Sequence, residues 1–62
     1  MMSPKEFLEL DIYNCELTLW TYKKILALPG IDEKSKEIIS NNMKVHETAK
    51  ERAIDALKNF LA

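Results

Sequence analysis

This chain has one cysteine, one glycine, two prolines and no long uninterrupted apolar run. Each scarcity excludes something. A single cysteine closes no intrachain disulfide, so nothing covalent staples the fold. With so little glycine and proline there are few places for the backbone to turn, and none of the compositional marks of a loop-rich or low-complexity chain. The absence of an apolar stretch of about 20 residues argues against a transmembrane span. The opening Met-Met-Ser-Pro-Lys-Glu-Phe lacks a basic stretch followed by an apolar run, so no signal peptide is expected and a cytoplasmic location is. No excess of one charge sign is present either. Nine basic residues stand against ten acidic ones, for a formal net charge of −1. Electrostatic nucleic-acid binders usually carry a strong basic excess.

What is present is helical patterning. The 62 residues make one domain. Ser3-Pro4-Lys5-Glu6 reads as a helix start, with Ser3 as cap, Pro4 in the first turn and Glu6 completing a capping box. Helix one is expected over about 4–28. Pro29 and Gly30 stop it, and a turn occupies 29–32. Asp32 caps helix two, expected over about 33–60 with no glycine or proline inside. A connection this short makes the two helices antiparallel. The fold class is therefore all-α, a two-helix hairpin.

Helix one is apolar on two faces. Leu8, Ile12, Cys15, Leu19, Tyr22 and Leu26 recur at alternating spacings of four and three, as in a coiled-coil seam. Leu10, Tyr13, Leu17 and Trp20 form a second stripe on the opposite side. Helix two carries one broad apolar arc: Ile38, Ile39, Met43, Val45, Ala49, Ala53, Ile54, Ala56, Leu57, Phe60 and Leu61. It can cover one face of helix one and not both. A chain this small also needs help to bury a core. The expectation is a homo-oligomer, a dimer first, packing two hairpins into a four-helix bundle. A heterologous protein is the other occupant considered. Leu10, Tyr13, Leu17 and Trp20 are its interface residues.

Folding the hairpin about Pro29 and Gly30 brings residue i near residue 61 − i. That register sets His46 opposite Cys15 and Tyr22 opposite Ile39. Two copies of Cys15 and His46 have the right donor chemistry for a tetrahedral zinc site. However, no paired Cys or His spacing fixes such a site, and neither a metal nor another cofactor is expected. His46 and Lys50, with Cys15 nearby, are the candidates for holding a small anion in the core. Asn42, His46 and Lys50 otherwise read as polar residues that set helix register. Lys23, Lys24, Lys34 and Lys36 gather near the turn and are the candidates for contact with a phosphate backbone. No arrangement of nucleophile, base and oxyanion donor is present, and the chain is not expected to be an enzyme.

A chain of this length with a central tight turn resembles the Rop family of plasmid RNA-binding hairpins, which dimerise into four-helix bundles. The likeness implies that architecture, with the lysines near the turn as the nucleic-acid surface. No Rop motif matches residue by residue, so the RNA activity is not carried over. His46-Glu47 is similar to half of a ferritin-like bundle, whose di-iron motif is Glu-x-x-His. Here Met43 stands where the glutamate belongs. The favoured function is a small non-enzymatic interaction or regulatory module that presents helical surface to another protein.

Overall fold

A computed structural model describes residues 1–61. Its described residues form two helices and no strand: α1 over Pro4–Leu26 and α2 over Glu33–Leu61. The two pack side by side as a hairpin.

Both helix starts are built as the residues dictate. The Ser3 hydroxyl accepts from the Glu6 backbone N–H at 3.2 Å, and the Glu6 carboxylate accepts from the Ser3 N–H at 3.3 Å. This reciprocal box satisfies two donors that a helix start would leave unpaired. At the second start, Asp32 Oδ1 accepts from the Ser35 N–H at 2.6 Å. That hydrogen bond holds the Asp32 carboxyl below the usual carboxylate range.

Helix α1 ends at Leu26, the last residue of its apolar seam and two residues short of the expected 28. Ala27 is the C-cap, and its N–H donates to the carbonyls of Lys23 and Ile25. Leu28 lies outside the helix and its side chain is exposed. Proline at 29 disfavours helical angles at the residue before it. Gly30 then takes a positive φ of 83°, which reverses the chain at little steric cost.

Among the described residues three side chains are buried, none of them completely: Cys15 and Leu19 of α1, and Ala53 of α2. Leu8, Ile12, Tyr22, Leu26, Ile39, Met43, Ile54 and Leu57 are half-buried around them. The small Ala53 lets the helices approach closely, and the larger seam residues of α1 fill the space beside it. Ile38, Val45, Phe60 and Leu61, all in the apolar arc of α2, remain exposed. Ile38 and Val45 lie on the flank of the arc, outside the strip that one neighbouring helix covers, and Phe60 and Leu61 lie in the last turn of α2.

The hairpin is a single layer, 46 Å long and 14 Å deep. Its radius of gyration is 14.4 Å, against about 10.6 Å for a compact domain of this length. The accessible surface is 4913 Å². A compact monomer of 7.2 kDa exposes about 4,100 Å². The difference, about 800 Å², reflects the elongated, single-layer shape.

Candidate interaction surface

The surface that stands out is the side of α1 turned away from α2. At 100° per residue, Leu10, Tyr13, Leu17 and Trp20 centre about 160° around α1 from the Leu8–Leu26 seam. Their side chains are 43%, 60%, 49% and 58% exposed. Four large apolar residues thus lie in one strip with no cover from the chain itself. A monomer seldom leaves such a strip contiguous.

Two local interactions order this strip. The Thr21 hydroxyl donates to the Leu17 carbonyl at 2.9 Å, which keeps a polar group satisfied beside the apolar stripe. The Lys24 ammonium sits 5.3 Å from the centre of the Trp20 ring, a cation–π contact across one helical turn. Sequence reasoning missed this contact, although the i, i+4 spacing of Trp20 and Lys24 was there to signal it. Near the first turn of α1, Pro4, Phe7, Leu8, Leu10, Asp11 and Asn14 line a shallow groove that adjoins the strip.

The polar residues of the hairpin interior do not meet as the simple fold-back register expects. His46 packs against Tyr22, with ring centres 5.8 Å apart and planes tilted by 52°. Lys50 pairs with Glu16 across the helices at 3.5 Å. Residue numbers in these pairs add to 68 and 66 rather than 61. Side chains lean toward the N-terminus of their own helix by about one residue, which accounts for about two of this difference, and the axial shift of α2 along α1 for the rest. Tyr22 thus meets His46, and its ring is His46's aromatic neighbour.

Cys15 has Asp11 on its own helix and Lys50 on α2 as its charged neighbours. Burial pushes the Cys15 thiol up, and the Asp11 carboxylate adds to this while Lys50 partly opposes it. The thiolate is the reactive form, so a raised thiol is a poor nucleophile at neutral pH. Alkylation of Cys15 at pH 7 is expected to be slow in the folded protein and to accelerate on addition of urea. Equal rates with and without urea would contradict the burial. The linkage to stability follows from the same shift. A pKa raised by folding contributes stability that is fully present below the unfolded value near 9.0 and is lost as pH rises above it.

Among the described residues, no three His, Cys, Asp or Glu side chains cluster as a metal ion would require. Of the lysines near the turn, Lys36 pairs with Glu33 at 3.4 Å and Lys24 covers Trp20, while Lys23 and Lys34 are exposed. No helix among the described residues is long and apolar enough to cross a membrane.

Compared with protein-family models, curated proteins and solved structures, the chain matches none of them.

Proposed function

We propose that this protein is a small non-enzymatic interaction module that works as an oligomer, with two hairpins forming a dimer of four packed helices. The observation that carries this reading is the exposed stripe of Leu10, Tyr13, Leu17 and Trp20. Aromatic side chains dominate the energetics of protein contacts when a partner buries them. A cytoplasmic, regulatory role belongs to this proposal, since presenting a helical face is what so small a chain can do. Sedimentation equilibrium of the full chain over a wide concentration range tests it. The expected mass at high concentration is twice 7.2 kDa. A monomer at every concentration overturns the proposal.

A further inference from the structure

The stripe on the back of α1 has an internal symmetry that identifies its occupant. Glu6 and Lys24 flank the four apolar residues at the two ends, on the same face of the helix. The pairs Glu6–Lys24, Leu10–Trp20 and Tyr13–Leu17 all share one midpoint, at residue 15. A second copy of α1 laid antiparallel across this face, about a two-fold axis at that midpoint, makes every one of these pairs a contact. Leu10 then meets Trp20 of the second copy, Tyr13 meets Leu17 of the second copy, and Glu6 meets Lys24 of the second copy. The two-fold repeats each contact once more, as an isologous interface requires. A parallel arrangement brings Glu6 to Glu6 and Lys24 to Lys24, so like charges face each other.

We infer that the back of α1 is a self-recognition surface, and that the partner seated on it is a second copy of this chain in antiparallel orientation. This rests on the oligomeric reading above and adds to it the face, the direction and the charge pairs. The groups it needs are in place. Glu6 is held at the first turn by its hydrogen bond with Ser3 N–H, and a carboxylate has lone pairs for further donors. Lys24 lies along the stripe over Trp20, from where its flexible stem reaches past the ring.

The arrangement also fixes the order of helices. The seam that holds α2 and the stripe that holds the second copy are on opposite sides of α1. The four helices therefore lie in a row, α2–α1–α1–α2, and do not surround a common core. Cys15 faces α2 and is buried within its own hairpin, so the two copies of Cys15 point away from each other across the dimer. The zinc arrangement of two Cys15 and two His46 does not form in this dimer.

Charge exchange tests the inference in the full chain. Lys24→Glu places Glu6 against a glutamate at both ends of the interface and is expected to raise the dimer dissociation constant about ten-fold. Glu6→Lys acts likewise and also removes the acceptor of the capping box, so its helix content is read beside its mass. The double exchange Glu6→Lys with Lys24→Glu restores opposite pairs and is expected to recover most of the affinity. Lys58→Glu, on the exposed polar side of α2, changes net charge equally and serves as the control. The readout is the dissociation constant from sedimentation, with far-UV circular dichroism to report helix content. Recovery by the double exchange supports the antiparallel pairing. A wild-type dimer that Lys24→Glu leaves unchanged, or weakens no more than Lys58→Glu does, overturns it and leaves the oligomeric reading standing. A wild-type chain that never dimerises overturns both.

Discussion

Leu17→Ala combined with Trp20→Ala is expected to sediment as a 7.2 kDa monomer under conditions where the unaltered chain dimerises. The size of the effect follows from symmetry. Truncating a buried aromatic anchor costs about 2 kcal/mol or more at an interface. A two-fold interface contains that anchor twice, so Trp20 alone contributes about 4 kcal/mol per dimer, roughly a thousand-fold in the dissociation constant. Leu17 adds to this. The same pair of changes should leave the helix itself intact. Trp20 and Leu17 are both about half exposed in the hairpin, and alanine is the best helix former, so helix propensity does not fall. The two measurements therefore separate. Mass is expected to halve while helicity per residue at high concentration is retained. A double variant that sediments like the unaltered chain would remove these residues from the interface.

The second large effect lies on the other face of the same helix. Leu19→Ala is expected to unfold a large fraction of the molecules at 25 °C. Leu19 is one of the three buried side chains among the described residues, 8% exposed. Removing a buried leucine costs about 2–5 kcal/mol, from lost transfer energy and the cavity left behind. The total stability of a chain this long is of order 3–9 kcal/mol. One substitution thus removes much of what holds the hairpin together. Urea denaturation followed by circular dichroism reads this as a lower midpoint. If the midpoint moved no more than for an exposed leucine such as Leu10, the seam would not be the core.

These opposite outcomes for residues one or two positions apart on α1 show how the helix divides its labour. Position 19 points at α2, so its loss unfolds the hairpin. Positions 17 and 20 point away, so their loss is expected to cost an assembly and not a fold. A dimer also stabilises each of its hairpins by mass action. The urea midpoint of the unaltered chain is therefore expected to rise with protein concentration, and that of Leu17→Ala/Trp20→Ala to be flat.

The local features of this protein are legible in its sequence because they are decided within a few residues. The Ser3–Glu6 box, the Asp32 cap, the turn at Gly30 and the two long helices depend on short-range hydrogen bonds and backbone preferences. The presence of two apolar faces on α1 is legible for the same reason, since a helix converts spacing into direction. The proline signal by itself placed the end of α1 two residues late, whereas the apolar seam stops at Leu26, where the helix ends. Periodicity did not show that Ile38 and Val45 stand outside the core, because an arc on one helix does not state how much of it a neighbour can cover.

Only the tertiary structure decided which residues meet across the hairpin. It set His46 on Tyr22 and Lys50 on Glu16, pairs that counting back from the turn did not name. Those pairs depend on the axial shift of one packed helix along the other, a property of two elements together that neither sequence segment carries by itself. The exposed Leu10, Tyr13, Leu17 and Trp20 stripe lies between these limits. Its existence is written in the spacing of α1, and its lack of cover became a fact only once α2 was seen to occupy the other side.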